Sequence, residues 1–231
     1  ALHEATSQAL GAQLSSKTTS VVAVDVDADD DLDLVFGNDG QQSRLYINNG
    51  KGAFDDVTAR ETADGAKRMP VGEWSTQMVL ADDFNGDNAI DLYLVNKGYS
   101  GEVNRLLLND SLGVFRDVTN LYILNPRADK SVWAISGDVD GDKDTDIVVI
   151  NQAQNHVVYL NSGKGIFQSR EITMAGALAL GGELLDVDND GDLDLVIAQS
   201  NTQRKELFLN NGRGVFTFDN TGRLPAESDN T

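Results

Sequence analysis

Four short apolar runs recur along the chain, each preceded by a stretch crowded with acids. They read LVFG at 34–37, LYLV at 92–95, IVVI at 147–150 and LVIA at 195–198. Runs of this length, bounded by polar turn formers, predict strands covered on both faces. A second apolar run leads into each acidic stretch. A third follows within RLYINNGKGAF from Arg44, RLLLNDSLGVF from Arg105, VVYLNSGKGIF from Val157 and ELFLNNGRGVF from Glu206. There the strand breaks at Asn-x-Gly-x-Gly-x-Phe or a near match, a hairpin signal whose glycines supply positive φ. Copy two departs from it, with Ser111 where the others have Gly50, Gly163 and Gly212. Each unit therefore predicts four strands; in the first they run from Ser20 to Val24, Leu34 to Gly37, Arg44 to Asn48 and Ala53 to Val57.

The acidic stretches have a fixed internal order. They are DVDADDDLD from Asp25, DFNGDNAID from Asp83, DVDGDKDTD from Asp138 and DVDNDGDLD from Asp186. Acids or amides stand at loop positions 1, 3 and 5, and an aspartate closes at position 9. Those residues are Asp25, Asp27, Asp29 and Asp33; Asp83, Asn85, Asp87 and Asp91; Asp138, Asp140, Asp142 and Asp146; and Asp186, Asp188, Asp190 and Asp194. Hard oxygen donors at this density suit Ca²⁺, which takes 6–8 oxygens. The loops close at nine and are flanked by strand-like runs, so they are not EF-hands. A recurrence every 48 to 58 residues is too long for a nonapeptide β-helix.

A four-stranded sheet buried between copies of itself is a propeller blade. The units resemble FG-GAP/VCBS repeats, the blades of integrin α-type propellers. The pairing of loop, LYxNNGxGxF and a trailing DVT at 56–58 and 117–119 is most similar to the cartilage-acidic-protein-like bacterial group. The resemblance implies an all-β propeller of four-stranded antiparallel blades, about four in this chain, with the calcium loop between strands one and two. It implies a single region, 1–231, with blades at 20–58, 75–119, 131–173 and 177–221 and tails at 1–19 and 222–231. It also implies up to four Ca²⁺, with the position-7 residues Asp31, Ala89, Asp144 and Asp192 giving backbone carbonyls and the position-9 aspartates binding through both oxygens. Position 8 (Leu32, Ile90, Thr145, Leu193) is expected to anchor each loop to the blade core. Position 6 needs positive φ, so Gly191 makes loop four the expected tightest site. Leu2 to Thr6 aligns with Phe115 to Thr119, so the chain is expected to open inside the tail of a preceding repeat. Two readings follow: part of a larger propeller, or a ring of four closed by the N-terminal tail.

Composition narrows the function. Eighteen Lys and Arg against 37 Asp and Glu give a net charge of −19, a poor match for nucleic acid or anionic membranes. There is no cysteine, which excludes disulfides and thiol chemistry. No apolar run is long enough to predict a membrane-inserted helix. The two histidines, His3 and His156, form no catalytic motif, and His156 is expected at an exposed strand edge. Calcium at millimolar levels outside cells favours an extracellular, cell-surface or periplasmic setting.

The expected role is a non-catalytic module that presents loops to a protein or glycan, with the oligomeric state left open. A lectin-like module with a defined sugar pocket, or an accessory part of a polysaccharide-degrading enzyme, are the alternatives. Departures from the repeat are where a ligand is expected. The connection between blades one and two is longer and carries Arg60, Lys67, Arg68 and Trp74, and the loop 96–102 carries Tyr99. Trp74 and Trp133 precede calcium loops and are expected to pack between blades. Glu183 stands where Val22, Leu80 and Ile135 predict an aliphatic, and marks a gap in the core or a polar group at the central channel.

Overall fold

The computed structural model describes residues 16–173, 178–200 and 205–224. Four four-stranded antiparallel sheets follow one another along the chain. The first holds β1 (Thr18–Val24), β2 (Asp33–Asn38), β3 (Arg44–Asn48) and β4 (Phe54–Asp56). The second holds β5 (Thr76–Asp82), β6 (Asp91–Asn96), β8 (Arg105–Asn109) and β9 (Phe115–Asp117), with a short β7 (Glu102–Val103) before β8. A single turn, α1 (Thr119–Tyr122), and β10 (Ala128–Asp129), which pairs with β7, lead into the third sheet. That sheet holds β11 (Ser131–Gly137), β12 (Asp146–Asn151), β13 (His156–Asn161) and β14 (Phe167–Ile172). The fourth holds β15 (Ala179–Leu185), β16 (Asp194–Gln199), β17 (Lys205–Leu209) and β18 (Thr217–Phe218). In each sheet the strands pair in chain order, so each is a meander built from hairpins, the form of a propeller blade. Residues 1–15 and the end of the tail at 225–231 lie outside the described residues, and with them the expectation about the N-terminal tail.

The first strands form the inner row: β1 packs on β5, β5 on β11 and β11 on β15. The core lies between consecutive sheets, in three clusters. Val35 and Leu45 of sheet one meet Leu92, Leu94, Leu107 and Phe115 of sheet two. The other side of sheet two, with Phe84, Tyr93 and Leu106, meets Ile147, Val149 and Phe167 of sheet three. Sheet three in turn gives Val148, Ile150 and Val158 to Leu195, Ile197 and Phe208 of sheet four. Alternate residues of one strand thus serve two different interfaces, and all six residues of β6 and of β12 are buried.

Burial on both faces holds in the middle sheets and not at the ends. In β2, Asp33, Val35 and Gly37 are buried while Leu34 and Phe36 are half-buried. Phe36 meets Tyr46 edge-on at 5.3 Å between ring centres. Leu34, Phe36 and Tyr46 occupy the pairing positions of Leu92, Leu94 and Leu107, which sheet one covers in the next interface. Glu183 pairs with Val196 and is exposed, on the side of sheet four away from sheet three. It therefore stands outside the core shared by sheets three and four, as a polar side chain on the inner row of first strands.

Two local expectations are corrected and a third is met in part. His156 is fully buried, not exposed: its Nδ1 accepts the Asn151 N–H at 3.1 Å, and its ring meets Phe208 edge-on. Leu32 is 58% exposed, so position 8 does not anchor loop one. Position 2 does that work, with Val26, Phe84 and Val139 at 0–1% exposure. Trp133 lies over Gly181 of sheet four, where a Cβ would meet its ring at 3.3 Å, yet it stays 37% exposed.

The connections between sheets protect strand edges. The Phe115 N–H at the edge of sheet two donates to the Arg68 carbonyl at 2.8 Å. In the same way the Leu124 N–H donates to the Phe167 carbonyl at 3.1 Å, beside an Ile123–Phe167 bridge. Both of these connections thus cover the outer strand of the sheet they lead into, which occupies hydrogen-bonding groups that would otherwise invite pairing with another chain.

Candidate metal centres and the exposed loops

Each acidic loop joins the first strand of a sheet to the second and is wound by its own side chains. The position-1 carboxylate accepts the N–H of position 6: Asp25 from Asp30, Asp83 from Asn88, Asp138 from Lys143 and Asp186 from Gly191, at 2.8–3.1 Å. The position-5 carboxylate accepts the N–H of position 7, as in Asp29 from Asp31 and Asp142 from Asp144, both at 3.0 Å. These local bonds compete with regular structure and wrap the loop tightly. The winding requires positive φ at position 6, as expected, at Asp30, Asn88, Lys143 and Gly191. It also requires positive φ at position 4, at Ala28, Gly86, Gly141 and Asn189, which the sequence reading missed. The two glycines there were the available signal.

The closing aspartate ties the loop to the hairpin that follows. Asp33, Asp91, Asp146 and Asp194 are all at 0–1% exposure. One oxygen accepts the position-2 N–H at 2.9–3.1 Å. The other accepts the N–H of Asn48, Asn109, Asn161 or Asn210 at 2.7–2.8 Å. Those asparagines open the Asn-x-Gly hairpins, which is why loop and hairpin motifs recur together. Their side-chain amides reach further, into the previous sheet. Asn109 donates to the Val26 carbonyl, Asn161 to that of Phe84 and Asn210 to that of Val139, at 2.7–2.8 Å. In sheets two, three and four one asparagine therefore joins its own loop to the neighbouring loop. Position 7 packs from below: a Cβ on Gly50, Gly163 or Gly212 would fall 2.4–2.5 Å from the carboxylates of Asp31, Asp144 and Asp192. Where the hairpin has Ser111 instead of glycine, position 7 is Ala89 instead of aspartate, so two departures in copy two are one steric exchange.

The donor set fits a hard cation. In loop one, oxygens of Asp25, Asp27 and Asp29 lie within 4.8 Å of one another; in loop three those of Asp138, Asp140 and Asp146; in loop four those of Asp186, Asp188 and Asp194. Only oxygen is offered. Asp27 Oδ1 and Asp140 Oδ1, both at position 3, are buried with no hydrogen-bond partner among the described residues. A buried carboxylate oxygen without a donor is costly, and a cation removes that cost. In loop two the position-3 amide of Asn85 donates to Asp87 at 2.9 Å, so this loop partly satisfies itself. Burial first, and neighbouring acids after it, raise the pKa of Asp27 and Asp140. Burial pushes Asp91 up to about 7 and Asp146 up to about 6, against the two backbone N–H bonds that each accepts. Asp33 is raised for the same reason. A divalent cation reverses this balance, since it favours the ionised form.

The basic connection is a hairpin in its own right, with Glu61 bridged to Lys67. Its charges are largely engaged. Lys67 pairs with Glu61 at 2.8 Å and Arg60 with Asp55 at 3.5 Å. Arg68 donates to the Leu112 carbonyl at 2.7 Å. Arg60 and Arg68 line one small cleft of about 140 Å³ with Asn48, Asn49 and Asp55. Trp74 is not in that cleft: it packs over Gly72, with the Arg105 guanidinium 5.1 Å from its ring centre. Tyr99 is fully exposed. Among the described residues no helix is long and apolar enough to cross a membrane.

Comparison with known proteins agrees with this architecture. Residues 83–149 match the FG-GAP-like repeat family. A search of curated proteins finds no match. Among solved structures, the chain is similar to an Agrocybe aegerita lectin that recognises non-reducing terminal N-acetylglucosamine, at 22% identity and TM-score 0.53, over 84% of this chain and 49% of the lectin chain. It is also similar to BBS1N in its complex with ARL6DN. Crystals soaked with lead give 10% identity and TM-score 0.55, over 90% of this chain and 58% of that one. Those soaked with mercury give 12% identity and TM-score 0.54 over similar lengths. The chain thus spans about half the length of these structures. The fold is an FG-GAP-type β-propeller arrangement of four-stranded blades.

Proposed function

We propose that this chain is a non-catalytic, calcium-binding propeller module that presents its loops to a protein or glycan outside the cytoplasm. The observation that carries the calcium reading is the pair of buried position-3 oxygens, Asp27 Oδ1 and Asp140 Oδ1, each left without a donor inside a ring of carboxylates. Position 1, 3, 5 and 9 side chains would hold the ion, with position 7 supplying a carbonyl. Calcium would neutralise the loops and fix the relation between consecutive blades, because loops one to three are each bonded to the next hairpin asparagine.

The lectin among its structural relatives, and the partner-bound BBS1N, support an interaction role. They favour no particular ligand at this identity. The exposed Tyr99 and the Arg60–Arg68 cleft are the surfaces offered to a partner. A lectin-like reading stands second, on the lectin's fold. Calorimetric titration of chelator-treated protein with Ca²⁺ tests the first part; absence of heat and of any bound calcium would overturn it. A glycan array with the calcium-loaded protein tests the second, where one defined sugar class would favour the lectin reading.

A further inference from the structure

We infer that Arg223 stands in for the cation at loop four, so that calcium binding there releases the strap from Asp219 to Leu224. The inference rests on the calcium reading above. Position 3 sets the pattern. In loops one and three its carboxylate has a buried oxygen with no donor, and in loop two it is an amide bonded to Asp87. In loop four it is Asp188, and there Arg223 Nη1 lies 3.0 Å from its Oδ2. Arg223 comes from well outside the loop, 35 residues along the chain.

The strap is built to deliver that guanidinium. It follows β18 and is tied to β17 by the Asp219 N–H, which donates to the Leu207 carbonyl at 2.8 Å. Asp219 then accepts the Thr221 N–H at 3.0 Å and its hydroxyl at 2.6 Å, which turns the chain back. Asp219 Oδ2 also lies 3.9 Å from Arg223 Nε. The guanidinium is thus held between one carboxylate of the strap and one of the loop. Its pKa is raised first by the hydrogen bond to Asp188.

A cation bound by Asp186, Asp188 and Asp194 would place its two charges within a few ångströms of the guanidinium. One carboxylate cannot fully serve both, and the like charges repel. Calcium and Arg223 therefore compete for Asp188. Occupancy of loop four becomes linked to the position of the strap, and by reciprocity the docked strap weakens calcium at this loop. The expectation that loop four binds most tightly, drawn from Gly191 and from the charge that Asn85 removes in loop two, is then reversed while the strap is docked.

The test uses the whole chain. The protein has no cysteine, so a single Leu224→Cys change carries a fluorophore at one place. Calcium should lower the probe's anisotropy and should leave it unchanged when Asp186→Asn disables loop four. In calorimetry, Arg223→Gln should tighten one site on the order of tenfold, the scale of one charge-assisted hydrogen bond, and the gain should vanish with Asp186→Asn. Calcium bound at the other loops with unchanged anisotropy, or with no tightening in Arg223→Gln, would overturn this inference and leave the calcium reading intact. No calcium bound at any loop would overturn both.

Discussion

The two middle loops and the two outer loops share one nine-residue pattern but balance their charge differently. The middle loops lie between sheets that are covered on both sides. Burial there pushes their closing aspartates up to about 7 in Asp91 and about 6 in Asp146. An arginine acts on the position-3 aspartate of each outer loop, as a hydrogen-bonded pair in loop four and as a more distant charge in loop one. Arg68 lowers the pKa of Asp27, against the larger effects of burial and its acidic neighbours, and Arg223 pairs with Asp188. The difference shows that the motif alone does not fix how strongly a loop depends on its ion. If the loops take calcium, the two middle loops, with no arginine beside position 3, would depend on it most.

The largest expected effect is on melting. A ligand that binds only the folded state stabilises it by about 4 kcal/mol at 1,000 times its Kd, and several loops act together. Excess chelator should lower the melting temperature strongly, with the earliest protease cuts in the middle loops. An unchanged melting curve would mean the loops are solvated acids. Next comes Asp146→Ala, which removes an acceptor from two buried N–H groups, Val139 and Asn161. It should cost about 3–5 kcal/mol. Asp33→Ala should cost less, because one of the two N–H groups it strands, that of Asn48, is only part-buried. Equal losses in denaturant titration would erase the distinction between middle and end.

The pH dependence should change sign with the ion. Asp91 and Asp146 have raised folded pKa values, so in chelator their stabilising effect is present at low pH and is lost as pH rises through about 6 and about 7. His156 works the other way. Burial lowers it from 6.5 to about 4, so the unfolded chain binds its proton first and stability falls as pH drops below 6.5. Between pH 5 and 8 the aspartates dominate, and metal-free protein should weaken by roughly 2 kcal/mol. With calcium bound the aspartates stay ionised and only the histidine effect remains, so stability should rise over the same range. Melting curves at pH 5 and 8, with and without calcium, read this directly; the same slope in both would show that the middle loops do not take the ion.

Much of this was legible in the sequence, because repetition exposes it. The apolar runs placed the strands of sheet one to within two residues, since four copies constrain one pattern. Spacing of the acids placed the loops. What escaped was whatever depends on a neighbour distant in the chain. His156 looked like an edge residue when matched to Arg44 and Arg105; its pairing instead matches Ser43 and Asn104, both buried, and its Nδ1 accepts the strand N–H that the Asn104 side chain accepts in sheet two. Position 8 looked like an anchor because leucine and isoleucine stand there, yet the winding turns Leu32 outward and Val26 inward. Arg223 carried no signal, since nothing local ties it to Asp188. The hairpin asparagine did carry one, standing in all four copies, but its partner in the previous sheet cannot be read from a hairpin motif.

That asparagine gives a smaller contrast. Asn161 bonds to the Phe84 carbonyl of sheet two and to the Thr145 carbonyl of its own loop, whereas Asn48 bonds to Leu32 within its own sheet, at 3.1 Å. Asn161→Leu should cost about 1–3 kcal/mol, since it strands a buried carbonyl between blades. Asn48→Leu should cost under about 1 kcal/mol. Reversed magnitudes would show that the tie between blades carries little.

The smallest expected effect isolates backbone strain from charge. Loop one has no glycine at either left-handed position, with Ala28 at φ 60° and Asp30 at φ 70°. Loop two has Gly86 at φ 77° in the place of Ala28. A left-handed alanine costs roughly 1 kcal/mol, a conformation that glycine adopts freely. Ala28→Gly should therefore stabilise the folded loop by up to about 1 kcal/mol, less the extra entropy that glycine gives the unfolded chain. Gly86→Ala should destabilise by a similar amount and no more, because a Cβ there meets only the Gly163 carbonyl, at 3.8 Å. Both changes leave every carboxylate in place, so the calcium number should not move. If calorimetry shows Ala28→Gly tightening calcium at loop one while Gly86→Ala loosens it at loop two, turn strain ranks these sites alongside charge. If both variants bind and melt like the parent, the difference between middle and outer loops lies in burial and arginines alone.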